Sequence, residues 1–334
     1  MKRLLVALLS GLALPLAACA EEPAKVEILL GDVSMNKLPF VIAVEEGIYE
    51  RNGLDVTPKF SQGSVDIIRK SGVSVSDEYI IGKDANPPVK IGGAAPTFYR
   101  LTTRAGSWNP VALGSTHTES RWRIVGDPAI DSPAGLKGKR IGYSGPGAVS
   151  HFMAISFAEQ MGWDPQFDWS MMADALGVAA LDAGHVDAMV AAELHATMAL
   201  GSGYEVIVDL GDYALPVAGS SFLFDRDWLA ENEDTARRLM KSFVEAIAVL
   251  KTDREATYRV LRKWYQMSDP ELMALFYAEA SKLPSKPYPP YAGLEKMMEI
   301  YDSHEMRKYK VEDFYDDSFV RELDESGYID SLYD

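Results

Sequence analysis

The sequence predicts an α/β protein of two lobes, with the second lobe inserted into the first. Three observations lead there. Short apolar segments alternate with segments of helical period through the first two thirds of the chain, a pattern that implies parallel strands with helices on both faces. The alternation is interrupted at Arg123-Ile-Val125, where the chain leaves the first lobe, and an apolar strand at Ser220–Phe224 brings it back. Roughly 310 folded residues at 47% hydrophobic composition are enough for two cores.

The elements follow in order. Val26–Leu30 reads as a first strand ending at Gly31. Leu38–Arg51 has apolar residues spaced for a helix with one buried face, stopped by Asn52-Gly53. Leu54–Phe60 alternates as a second strand; residues 62–72 are weakly helical, and Val73–Pro88 reads as loop. Val89–Gly92 is a short strand running into Gly93-Ala-Ala-Pro96, with Pro96 placed for the first turn of a helix. Val111–Ser115 is another strand. In the inserted part, strands are expected at Arg140–Tyr143, Asp168–Met172, Val186–Ala191 and Glu205–Leu210, with helices from Val149, over Ala175–Ala183 and over Glu193–Leu200. From Asp227 the signal is helical, over Asp234–Lys251, Ala256–Met267, Pro270–Leu283, Leu294–Met306 and Phe314–Glu325, with a break at Pro284–Pro290.

Residues 1–18 read as a leader. Lys2 and Arg3 precede an apolar run, Leu4–Leu16, too short to span a bilayer. The ending Leu16-Ala-Ala-Cys19 resembles a bacterial lipobox, which implies cleavage before Cys19 and lipidation of its thiol. Cys19 is the only cysteine, so no internal disulfide is possible. Residues 19–25 form a polar tether, and the expected product is an extracytoplasmic, periplasmic protein held on a bacterial membrane by its lipid. Without Lys2 and Arg3 there are 31 basic and 49 acidic residues, a formal charge of −18, which argues against a nucleic-acid partner.

The stretch Gly142–Glu159 joins a strand to a glycine turn and a helix start. The first helical turn has backbone N–H groups without internal partners and carries partial positive charge, so a polar or anionic group can rest there. The same glycines equally suit an ordinary strand-to-helix turn.

Four segments carry a resemblance to the substrate-binding proteins of ABC importers, within them the NMT1/THI5-like group of alkanesulfonate-, nitrate- and thiamine-pyrimidine-binding proteins. They are PFVIAVEEGIYERNGLDV (Pro39–Val56), LKGKRIGYSGPGAVSH (Leu136–His151), LDAGHVDAMVAAE (Leu181–Glu193) and SFVRELDESGYI (Ser318–Ile329). The resemblance implies a type II periplasmic-binding-protein fold, with lobe one from residues 26–120 plus 222–334, lobe two from 121–221, and two crossover strands between them. It also implies a ligand in the inter-lobe cleft, a permease with its ATPase as partners, and a monomer. Residues 63–92 depart from the family's compact A-L-x-x-G-x-x-D element.

The candidate ligand residues are Asn36 and Lys37 after the first strand, Thr97 at a helix start, and Ser115, Thr116 and His117 at a strand end. In the second lobe they are Ser144, Gly147, Ala148 and Ser150 in the glycine turn, and Glu193. Each has a plain structural alternative: a solvated loop, a capping residue, a structural histidine, a helix-terminal charge. His195 and Arg121 are weaker candidates, and Trp108, Trp122, Phe98 and Tyr143 suit either a stacking role or the core. The turn and Lys37 suit an acid head, while Glu193 suits a hydrogen-bond donor, so a small polar organic ligand is expected. No G-x-S-x-G, H-E-x-x-H or paired histidines at metal spacing occur, and binding without turnover or cofactor is expected. Two alternatives stand beside it: an enzyme making a pyrimidine precursor, as in part of the resembled group, and a ligand-sensing lipoprotein that presents its closed form to a receptor instead of a permease.

Overall fold

The computed structural model describes residues 22–70, 73–82, 85–103, 108–118 and 121–334. Cys19 falls outside them. In β1 (Ala24–Leu30) the alternation seen in sequence becomes a two-faced strand: Val26, Ile28 and Leu30 are buried and Lys25 and Glu27 exposed. The expected helix over 38–51 is two helices, α1 (Leu38–Glu45) and α2 (Ile48–Arg51). Gly47 between them has φ +64°, a left-handed conformation that no helix continues through. β2 (Leu54–Phe60) pairs with β1 in parallel along its whole length. There follow α3 (Gln62–Lys70), β3 (Val89–Gly93), α4 (Ala94–Thr103) and β4 (Pro110–Ser115).

The chain then crosses to the second lobe: β5 (Arg123–Gly126), β6 (Arg140–Gly142), α5 (Val149–Gln160), β7 (Ser170–Met172), α6 (Val178–Asp182), β8 (Ala188–Ala191), α7 (Glu193–Gly201) and β9 (Glu205–Asp209). It returns through β10 (Ser220–Asp225) and ends in helices: α8 (Arg226–Glu231), α9 (Glu233–Thr252), α10 (Arg254–Trp264), α11 (Pro270–Ala280), α12 (Tyr291–Ile300), α13 (Ser318–Glu325) and α14 (Tyr328–Ser331). The helix expected over 294–306 thus starts earlier and stops at Ile300, and the one expected from Phe314 starts at Ser318.

The two sheets have matching orders, β2-β1-β3-β10-β4 and β7-β6-β8-β5-β9. The expectation of parallel pairing holds only within each lobe's own strand–helix units. β10 runs antiparallel to β3 and β4, and β5 antiparallel to β8 and β9. The reason is connectivity. A parallel neighbour needs a crossover back to the same end of the sheet, whereas β4–β5 and β9–β10 pass directly from one lobe to the other.

One core lies under α1, α9 and α10 on the inner face of the first sheet, where Phe40, Phe222 and Phe243 pack together. A second apolar cluster runs across both lobes, joining Phe98, Leu223, Leu294 and Phe314 to Phe152 and Phe157. Each such buried side chain contributes about 1.5–3 kcal/mol. The lobes are therefore packed on one another at the α4–α5–α12 side. Among the described residues no helix is long and apolar enough to cross a membrane.

Candidate functional site

In the first sheet the chain goes from β1 outward to β2 and then to β3 on the other side of β1. In the second it goes from β6 to β7 and then to β8. Loops that leave neighbouring strands in opposite directions open a crevice beyond the carboxyl ends, which is where open α/β sheets take ligands. The crevice-forming segments are 31–37 and 93–97 in lobe one, and 143–150 and 192–195 in lobe two. They face one another. A Cβ on Gly93 would stand 2.9 Å from Val149 Cγ2, and one on Gly147 would stand 2.3 Å from Tyr99 Cδ1.

Five of the predicted residues meet in a buried polar knot where the crossing strands pass. Asn36, Lys37, Ser115, Thr116 and His117 are each 5% exposed or less. Lys37 Nζ donates to Ser220 Oγ at 2.8 Å and lies 3.4 Å from Asp32 Oδ1. Ser115 Oγ donates to the Ser220 carbonyl at 2.8 Å, and Thr116 Oγ1 to the Asn36 carbonyl at 3.2 Å. The His117 ring stacks with Trp122 at 6.4 Å. Asn36 Oδ1 is buried and has no hydrogen-bond partner among the described residues. An unsatisfied buried acceptor costs about 1–3 kcal/mol, and a ligand N–H or O–H would remove that cost.

Lys37 is therefore not a free cation. Burial alone would raise the Asp32 carboxyl, but the Lys37 ammonium and hydrogen bonds from Ser34 outweigh it and hold Asp32 below the usual range. Across the cleft, burial lowers the imidazole of His195 on α7, and the Asp32 charge pulls the other way. Tyr265, which donates from its hydroxyl to the Ser34 carbonyl, is pushed well up by burial and by Asp32.

The second-lobe residues form a separate group. Ser150 is fully buried; its Oγ lies 2.7 Å from Ser144 Oγ and accepts the Ser144 N–H at 3.0 Å. The Gly147 N–H donates to His151 Nδ1 at 3.1 Å, and Ala148 is the residue before α5. The turn leans on an aromatic wedge. Tyr143 stacks on His151 at 4.8 Å, and Tyr301 packs on Tyr99 at 4.7 Å with its hydroxyl 3.3 Å from His151 Nδ1. Burial lowers the His151 imidazole. The turn thus gives the cleft the exposed Ser144 hydroxyl, braced from beneath by the buried Ser150, while Gly147 is committed to closing against lobe one.

Thr97 belongs to neither group. It lines a cavity of about 780 Å³ that starts at Gly31, Asp32 and Gly93 and runs along the outer face of the first sheet. The Glu193 side chain falls outside the described residues; its backbone begins α7. Phe98 is core, 4.5 Å from Phe314.

Asp32, Tyr265, Tyr99 and Tyr301 were missed in sequence. A signal existed only for Asp32: an Asp two residues before Ser34, directly after a strand, can take the Ser34 N–H, as it does at 2.8 Å. The tyrosines come from segments far away in the chain and bear no local mark.

Two mixed α/β lobes with matching strand orders, two crossing strands and facing switch-point crevices define the type II periplasmic-binding-protein fold. Comparison with solved structures agrees. The periplasmic nitrate-binding protein NrtA from Synechocystis PCC 6803 superposes with a TM-score of 0.71 at 15% identity, covering 94% of this chain and 91% of that one. The periplasmic aliphatic sulphonate binding protein SsuA from Escherichia coli gives 0.62 at 18%, covering 84% and 91%. The desulfurization enzyme DSZB gives 0.58 at 16%, covering 90% and 99%. At such identities the likeness is one of fold. No protein-family model and no curated protein matches the sequence.

Proposed function

We propose that this protein is the solute-binding component of an ABC importer, capturing a small polar organic molecule between its lobes and passing it unchanged to a permease. The observation that carries this reading is the pair of facing crevices. One is floored by the Asn36–Lys37–Ser220 knot and the other is edged by Ser144 and Ser150. Asp32 would accept hydrogen bonds and the Ser144 hydroxyl, braced by Ser150, would donate one. Rotation about the crossing strands would close the crevices on the ligand, and the closed surface would be what the permease recognises.

The DSZB likeness shows that the fold also serves an enzyme. What favours binding alone is the sequence: the only cysteine, Cys19, sits in the lipobox-like motif. Mass spectrometry of the molecule that co-purifies, before and after incubation with stripped protein, is expected to return it unaltered; a chemically changed product would overturn the reading. Bound ligand at 100 times its Kd should add about 2.7 kcal/mol of stability. Ser144→Ala with Ser150→Ala should weaken binding of that molecule about tenfold, or about 1.4 kcal/mol, and unchanged calorimetry would count against the turn. The lipobox-like motif supports anchoring through Cys19. A Cys19→Ser chain should leave the membrane fraction for the soluble one, and continued sedimentation with membranes would refute the anchor.

A further inference from the structure

The face of the first sheet turned away from the first core is only partly covered. Val26, Ile28, Val89 and Ile91 point into that core, so Leu29 and Lys90 point the other way, toward α4 and the start of α3. Between helices and sheet lies the 780 Å³ cavity, within the range of pockets that hold drug-sized molecules. A nitrate-sized solute would leave most of it empty.

The cavity has two chemically different ends. At the cleft end stands Asp32, whose Oδ1 takes the Ser34 N–H and faces Lys37 and whose side chain is 43% exposed. At the far end stand Lys90, Arg100 and Trp108. Lys90 lies three residues back from Gly93 along β3, about 10 Å from the cleft edge. Arg100 lies six residues along α4, about 9 Å from its first turn. The Lys90 ammonium sits 3.7 Å over the Trp108 ring and donates to Asn86 Oδ1 at 2.5 Å. Among the described residues no carboxylate is within 4.0 Å of it. The Trp108 indole N–H is buried without a partner among the described residues. Leu29 and Leu223 flank Lys90 on the two neighbouring strands and Leu101 follows Arg100, so apolar side chains surround the far end.

We infer that this cavity receives an elongated dipolar ligand, with a hydrogen-bond-donating end at Asp32 in the cleft and an acid group about 10 Å away beside Lys90 and Arg100. The inference rests on the binding reading above and names the chemistry of the solute. An acid group there gains a charge-assisted hydrogen bond from Lys90. Burial, with the Arg100 charge adding to it and Asp225 opposing, brings the Lys90 ammonium down to about 8, and an anion beside it would restore it. The apolar side chains around the far end suit an aliphatic or aromatic body next to the acid group. Residues 63–92, where the sequence departs from the resembled family, supply α3 and β3 on either side of this space.

The test uses ω-amino carboxylates with three to nine methylenes, titrated calorimetrically into the full chain. Affinity should peak at the members whose ends are about 10 Å apart. Lys90→Met should weaken the best member at least tenfold and flatten the length profile, and the methyl ester of that member should bind wild type at least tenfold more weakly. Gly63→Leu is an independent plug: Gly63 lines the cavity, and no heavy atom lies within 4 Å of a Cβ built there. It should lower affinity for the best member by a similar factor without unfolding the chain. Absence of binding across the series, a flat profile in wild type, or equal affinity in Lys90→Met would overturn the inference. If the co-purified molecule is still bound by Lys90→Met with unchanged affinity, the cleft reading stands and this one falls.

Discussion

Replacing Gly147 with valine is expected to reduce affinity for the co-purified ligand by more than tenfold and to hold the lobes apart. Gly147 has φ +76°, and a side chain in that region costs about 1–2 kcal/mol. Its Cβ would fall 2.3 Å from Tyr99 Cδ1 and 2.7 Å from Cε1. Tyr99 has little room to yield, because its other side packs on Tyr301 at 4.7 Å. Overpacking of this kind costs about 1–3 kcal/mol more. The strain is relieved most simply by moving the turn, and lobe two with it, away from α4. Calorimetry should read the affinity loss and small-angle scattering a larger radius of gyration. A variant equal to wild type in both would mean that the turn does not close on lobe one.

Gly293→Ala is expected to destabilise the protein by about 2 kcal/mol or more, against the sign that helix propensity gives. In an exposed helix interior, glycine to alanine gains about 1 kcal/mol. Gly293 lies in the first turn of α12, and there a Cβ would meet the backbone of the returning segment: Val217 C at 2.1 Å, Val217 O at 2.3 Å and the Ala218 nitrogen at 2.4 Å. Backbone cannot rotate out of the way as a side-chain end can. α12 would have to lift from the segment that leads into β10, taking Leu294 and Met297 out of the cluster that spans both lobes. Urea unfolding should show the loss as a lower midpoint. A midpoint equal to or above that of wild type would show that α12 has freedom to shift.

These two glycines mark what could and could not be read in advance. Gly147 sits in a visible strand–turn–helix motif, so its place in a turn was legible from Ser144-Gly-Pro-Gly147 alone. Gly293 carries no local signal; its role depends on a contact with residue 217. The same split runs through the site. The Ser144–Ser150 hydrogen bond spans six residues and follows from local geometry, whereas Lys37 meets Ser220 across 183 residues. In sequence Lys37 reads as a cation for an acid head, and in the structure it is committed to Asp32 and Ser220. A cation that does line open space, Lys90, lies in a segment that reads only as a short strand.

By itself the sequence determined the two-lobed α/β layout, most of the strands and helices, and the exit and return of the chain near Arg123 and Ser220. Periodicity, turn residues and helix breakers act over a few residues, and they are written locally. Only the tertiary structure decided the antiparallel placing of β5 and β10, because strand direction depends on which lobe each connection enters. It alone decided which polar side chains share the knot at the crossing strands. It alone opened the cavity behind the glycine-edged cleft, because the space depends on how α4 and the start of α3 border a sheet face drawn from distant parts of the chain.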